Sequence, residues 1–403
     1  MKSLSTISTV ILGSKLEMEM SLLLPLALCT LAACGSAAPP PQPTPSPSPL
    51  LSLACNSSYV LDIANFVLQD INGDREDGYV LSLNRVSDAR EHGQEAGLGS
   101  LFYFTLDVLE TGCHVLSRRS WKNCGVRTLH KSVYGQCKAI FYINKARRIF
   151  YLPAYNCTLR PVSRSEISMM CPDCPSSSPY DLSDPRFLET ATESLAKYNN
   201  KSPSKQYSLV KITKTSSQWV FGPAYFVEYL IKESCTKSQA SSCALQPPNS
   251  VPVGICHGSL SEQDSEKSVS VTCDFFKSQA PTPRGENSTV DQRPVNLSKV
   301  EEPQQKNTAP TNSSAKAVPK GSVQYLPDLD NKPKGSQGTG PVEAFPVQLD
   351  LTTDPQGEPL DVSFLFLEPM EEKLVVLPFP SKEQRSAECP GPAQEDNPLI
   401  LPP

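Results

Sequence analysis

Four cysteines recur in step along this chain. Cys113 and Cys124 return as Cys235 and Cys243, and Cys137 and Cys157 return as Cys256 and Cys273, at offsets of 116 to 122 residues. A period that long is a domain repeat, so the chain is expected to fold as two copies of one unit. Of 14 cysteines, Cys29 and Cys34 fall in an apparent export signal, and the 12 that remain are an even number. In an oxidising compartment they predict six disulfides.

The signal is read at residues 1–38. Ser21–Ala33 is an apolar core too short for a permanent anchor, and Gly35–Ala38 supplies small residues for cleavage. Met18 and Met20 are alternative starts, and Met20 is expected to be the true one because signal peptides seldom carry so long a preamble. No other stretch approaches 18 apolar residues, which predicts a soluble, secreted chain with no membrane contact. Sequons at Asn56, Asn156, Asn200, Asn287, Asn296 and Asn312 agree with N-glycosylation. A net charge of −5 without a basic stripe argues against nucleic acid.

Residues 39–54 open with a stiff polyproline run, PPPQPTPSPSP. Residues 55–166 and 181–276 read as the two domains, 167–180 as their linker, and 277–403 as a Pro/Ser-rich, largely disordered region. Within that region FPVQLDL (345–351), VSFLFLEP (362–369) and KLVVLPFP (373–380) are apolar islands able to dock on the folded part. Each domain opens with an amphipathic helix: Val60, Ile63, Ala64, Val67, Leu68 and Ile71 line one face of the first. Asp184 is the expected N-cap of the second, Pro185 its first residue, and Leu188, Ala191, Leu195 and Tyr198 its stripe. Four strands follow each helix: 79–86, 101–108, 138–144 and 147–155, then 206–213, 224–232, 251–257 and 269–276. A helix laid across an antiparallel meander is an α+β plan.

The linker holds CPDCP, Cys171 to Pro175. A lone C-x-x-C is a redox pair, half a zinc site or a static ring. Flanking prolines and the absence of a second C-x-x-C favour the static ring. The loop-entropy relation gives so small a ring only about 2 kcal/mol. Its effect is therefore expected to be local: it holds Asp173 in one geometry and lowers the entropy lost on binding.

One helix, a meander and two sequential C-terminal cysteine pairs resemble a cystatin domain. Two such domains joined by CPDCP resemble the fetuin family, and ESLAKYNN, SKQYSL, YFVEYLIKES and FLFLEPMEEKLVVLPFP extend the likeness to nearly all of the chain from Met20. The resemblance implies the pairs Cys113–Cys124, Cys137–Cys157, Cys171–Cys174, Cys235–Cys243, Cys256–Cys273 and Cys55–Cys389. It also implies a monomeric plasma inhibitor of astacin-family metallopeptidases, with ovastacin of the egg among the targets and a bearing on fertilisation. Asp173 would ligate the target's zinc in place of its catalytic water, and Pro172 and Pro175 would keep the linker from a cleavable extended pose.

Gln218, Trp219, Val220, Phe221 and Gly222 fit the cystatin Q-x-V-x-G hairpin, with Trp219 at its tip. The other loops depart from the cystatin pattern. GSLSEQDSEKS (258–268) lacks a Pro-Trp pair, and REHGQEAGLGS (Arg90–Ser100, with Gly97 and Gly99) has no Q-x-V-x-G. These loops are therefore expected to flank a zinc peptidase cleft, QWVFG on one side and Arg90–Ser100 on the other, with weak cysteine-peptidase inhibition as an alternative activity. DINGDREDGY (70–79) fails the EF-hand pattern at Arg75 and Leu81 and reads as a solvated helix end, although fetuins as a family bind mineral and a carrier role is a second alternative. His92, His114, His130 and His257 form no H-E-x-x-H, and no G-x-S-x-G or P-loop occurs, so neither an enzyme nor a cofactor site is expected.

Overall fold

A computed structural model describes residues 50–94, 97–127, 129–177, 184–202, 205–234, 251–263, 266–276, 320–331, 346–352, 357–366, 371–381 and 385–394. Two large sheets, antiparallel but for one edge strand, are each crossed by one helix. The first carries β1 (Leu51–Ser52), β2 (Tyr79–Gly93), β3 (Ser100–His114), β4 (Val133–Asn144) and β5 (Ile149–Pro161), with α1 (Ser58–Asp74) over it. Ser57 caps α1 by accepting from the Val60 N–H at 3.3 Å. All six residues of the expected stripe are buried against Phe102, Phe104 and Phe141.

The 15-residue β2 and β3 run well past the expected strands. Asp88, Arg90 and His92 lie beyond the expected strand 79–86, and all three are buried. The far face of this sheet is covered by the C-terminal region: Val347 packs on Leu109 and Tyr134, while Leu349, Val362, Leu374 and Val376 pack on Leu101, Tyr103, Ile140 and Tyr142. The Tyr103 hydroxyl accepts from the Leu377 N–H (2.8 Å), and Gln94 makes two bonds to the Val375 backbone. All three apolar islands therefore dock, two of them through a β12 (Glu358–Asp361) to β13 (Lys373–Val376) hairpin. Gly321–Tyr325, numbered β11, joins the sheet edge parallel to β5, a strand the sequence did not suggest. Within 277–403 the described segments are 320–331, 346–352, 357–366, 371–381 and 385–394; Val347, Leu349, Val362, Leu374 and Val376 cover a face the meander leaves bare, while Val323 and Cys389 pack with the helix-side core.

The second sheet runs β10-β9-β8-β7-β6. Its strands are β6 (Ser176–Ser177), β7 (Gln206–Trp219), β8 (Pro223–Ser234), β9 (Gly254–Gln263) and β10 (Glu266–Phe275). Two helices precede it: α2 (Arg164–Met170) in the linker, and α3 (Pro185–Lys201), which crosses the sheet. Asp184 caps α3 through the Arg186 N–H (2.9 Å), with Pro185 in its first turn. Its buried stripe is Phe187, Ala191 and Leu195 with Thr190 and Ser194. Leu188 is 53% exposed and Phe187 faces the sheet in its place, while Ala191 and Leu195 of the expected stripe are buried. Helix α2 runs straight through the expected domain boundary at 166/167, started by a Ser163–Glu166 capping box.

Among the described residues, five disulfides join Cys55–Cys389, Cys113–Cys124, Cys137–Cys157, Cys171–Cys174 and Cys256–Cys273. Cys235 and Cys243 lie outside the described residues.

Candidate functional site

The four-residue ring follows α2 directly. The Cys171 N–H donates to the Ile167 carbonyl (2.8 Å), and the Cys174 N–H closes the turn on the Cys171 carbonyl (3.1 Å). Ile167 and Cys174 pack with Leu109, Tyr134 and Val162 of the first domain, which seats the base of the ring. Pro172 and Asp173 are exposed, and the Asp173 carboxylate has no hydrogen bond or ion pair among the described residues.

On leaving the ring, the chain pairs with the second domain. Past Pro175, β6 lies against β7 with Ser176 opposite Ser217, and the Gln218 amide donates to the Asp173 backbone carbonyl. One domain thus seats the ring and the other clips it.

Gln218 is followed at once by the exposed tip: Trp219 is 75% exposed and Phe221 82%. Gly222 closes the turn with φ +115°, and a Cβ there would sit 2.3 Å from the Glu262 carbonyl oxygen. That contact brings the β9–β10 turn alongside, and because β9 and β10 are paired up to Gln263 and Glu266, this turn is far tighter than the 258–268 loop expected.

The hairpin of the first domain is elsewhere. Gly93 pairs with Ser100, whereas the ring packs near Leu109, nine residues further along β3, or roughly 30 Å away. Gly97 and Gly99 turn with φ +94° and +84°, and the tip is pinned by Tyr142 to the Leu98 carbonyl and Asn144 to the Gly97 carbonyl. The expectation that Arg90–Ser100 flanks the same cleft as QWVFG is corrected. In an antiparallel meander the β2–β3 turn and the exit of β5 lie at opposite ends, and the linker leaves from the end of β5.

Residues 175–260 match the cystatin domain family. Fetuin-B of Bos taurus is 82% identical over 356 residues, which are 88% of this chain and 92% of its own. The chain belongs to the fetuin-B family. Two solved structures of mouse fetuin-B align with it at 57% identity. The inhibitory complex with human meprin beta gives a TM-score of 0.70 over 87% of this chain and 99% of the mouse chain. The complex with crayfish astacin gives 0.69 over 90% and 99%.

In this fetuin-B family member the two domains meet through buried charge. Arg127 donates twice to Glu228, at 2.9 and 2.7 Å, and the Tyr79 hydroxyl donates to the same carboxylate at 2.5 Å. Arg127 also lies over the Tyr79 ring at 4.2 Å. In return Lys214 of β7 donates to Glu110 of β3, which also accepts from Tyr325 at 2.8 Å. Burial opposes ionisation of Glu228, but His257 (Nδ1 at 3.6 Å) and Arg127 outweigh it and hold its carboxyl well below the usual range. Tyr79, Leu230 and Ile255 add an apolar patch with Phe276 beside this clasp.

The histidines stand apart: His92 hydrogen-bonds Gln94, His114 stacks on Phe276, His130 lines the cleft between the domains and His257 neighbours Glu228. No group of three metal-ligating side chains occurs among the described residues. Asp70, Glu76 and Asp77 of the 70–79 stretch are exposed, as expected of a helix end, but partners are present too: Asp74 accepts from the Tyr155 hydroxyl and the Lys320 N–H, and Asp77 pairs with Lys211 at 2.6 Å. Arg75 is buried and donates to the Tyr79 carbonyl. Asn56 and Asn200 are exposed, while the Asn156 carboxamide bonds the Gln348 carbonyl and Ser322. Asn287, Asn296 and Asn312 lie outside the described residues.

Proposed function

We propose that this chain is a secreted, monomeric inhibitor of astacin-family zinc metallopeptidases and that Asp173 is the residue that meets the target's zinc. The observation that carries this reading is a carboxylate with no partner among the described residues, on a disulfide-closed turn clipped by Gln218 beside an exposed Trp219–Phe221 tip. A carboxylate oxygen suits the open position of a catalytic zinc, where it takes the place of water. The ring lets it arrive with little entropy left to lose. The mouse relatives in complex with meprin beta and with crayfish astacin support the class of target. Ovastacin is proposed as one of them.

The flanking surfaces in this reading both come from the second domain: the 219–222 tip and the adjoining β9–β10 turn. Secretion is supported by the export signal and the disulfides, and among the described residues no helix is long and apolar enough to cross a membrane. Asn56 and Asn200 are the described sequons most open to glycan addition. A mineral-carrier role gains nothing from the 70–79 acids, since Asp74 and Asp77 are occupied by partners within the chain.

The test is inhibition of a purified astacin-type peptidase by wild type and by Asp173→Ala, with papain as control. The expected result is inhibition by wild type alone and no effect on papain. Equal inhibition by both proteins would remove Asp173 from the mechanism, and potent inhibition of papain would favour the cystatin-like alternative.

A further inference from the structure

Met169 and Met170 close helix α2 immediately before the ring and are 77% and 57% exposed, while Ile167 is the one buried residue of that helix. Two large apolar side chains left in water at adjacent positions are costly unless something covers them in use. Their place says what covers them. Met170 is three Cα steps from Asp173, at most about 11 Å. A protein interface of ordinary size reaches about 16 Å from its centre. A peptidase seated on Asp173 therefore extends over the end of α2.

We propose that Met169 and Met170 form part of the surface that grips the target peptidase, and that their oxidation by peroxides weakens the inhibitor. This inference rests on the reading of Asp173 given above. The chemistry is a two-electron oxygen transfer: the thioether sulfur attacks hydrogen peroxide, the O–O bond breaks, and a sulfoxide and one water result. The product is polar and chiral, so it no longer fits an apolar contact. The sequence isolates the effect, because after residue 38 the chain contains only Met169, Met170 and Met370.

The experiment uses the full chain and mild hydrogen peroxide, with oxygen uptake followed by peptide mass. Inhibition constants are measured before treatment, after it, and after methionine sulfoxide reductase. A Met169→Leu/Met170→Leu variant is the control, since leucine keeps the volume and cannot take up the oxygen. Oxidation of wild type should weaken inhibition about tenfold to a hundredfold, the loss expected for one buried methionine contact. The reductase should restore it, the melting temperature should not move, and the inhibition constant of the double-leucine variant, whatever its starting value, should be the same before and after peroxide. Full oxidation at both residues with an unchanged inhibition constant would overturn the proposal, as would an equal loss in the double-leucine variant. If untreated wild type fails to inhibit, the reading of Asp173 has failed first and this proposal falls with it.

Discussion

Replacing Glu228 with Gln is the sharpest perturbation of the interface between the two domains. The variant keeps the shape and removes the charge that accepts from Arg127 twice and from Tyr79 once. Arg127 has a side chain 5% exposed and would keep the Thr111 carbonyl at 3.1 Å, Glu110 at 3.5 Å and one neutral amide oxygen at position 228, with an NH2 group now facing its other donor. Glu110 is already shared with Lys214 and Tyr325. Breaking a buried pair by removing one partner costs about 3–5 kcal/mol. Because Glu110 remains nearby, the lower end applies, about 3 kcal/mol, which corresponds to roughly a hundredfold shift toward separated domains. The assay is urea unfolding followed by two probes: fluorescence of the buried Trp121 for the first domain, with the exposed Trp219 replaced by Phe, and hydrogen exchange of the β8 amides for the second. Wild type should unfold as one unit. Glu228→Gln should unfold the second domain earlier, and the inhibition constant should rise because the ring is seated on one domain and clipped by the other. An Arg127→Met/Glu228→Leu pair should recover much of the stability. If Glu228→Gln unfolds within about 0.5 kcal/mol of wild type, with coincident probes, the clasp does not hold the domains and the reasoning is wrong.

Two further predictions test other parts of the structure. Burial lowers the His114 pKa to about 4 from an ordinary value of 6.5, so the fold favours the neutral ring. Its contribution is complete above pH 6.5 and is lost as pH falls toward 4; a plot of stability against pH should slope in that window and flatten in His114→Asn. Gln94→Ala removes both bonds to Val375 and should cost about 1–2 kcal/mol, most simply seen as faster hydrogen exchange in residues 373–376. It should leave metallopeptidase inhibition unchanged, and a loss of inhibition would return the first-domain hairpin to the target surface.

The helices were legible because their periodicity is local: the α1 stripe is read from six residues and all six are buried. The ring was legible for the same reason, since four consecutive residues define it. What the sequence hid was non-local. Arg90 falls in the expected surface hairpin, yet it is buried and meets the carbonyl of Ser381, 291 positions away, at 3.4 Å. Arg127 and Glu228 are 101 residues apart, and no pattern in either neighbourhood announces that they meet. The misplacement of the Arg90–Ser100 hairpin differs in kind, because its correction was within reach. Counting strand directions through β2, β3, β4 and β5 puts the first turn and the linker at opposite ends without any coordinates.

That strand parity also explains how the two domains divide their work on the ring. The linker leaves the first domain at the end of β5 and enters the second beside the end of β7, so the ring sits where the exit of one meander meets the turns of the next. Fixing a residue's backbone costs about 1–2 kcal/mol, so residues 171–174 would lose about 4–8 kcal/mol if they had to order only on binding. The ring's own contribution to folding, about 2 kcal/mol, is too small to supply that. The restraint is completed by the Cys171–Ile167 bond on one side and by the β6–β7 pairing with Gln218 on the other. Neither domain alone provides both, so a single cystatin-like domain carrying CPDCP should bind a zinc peptidase far more weakly than the tandem pair, however well it folds.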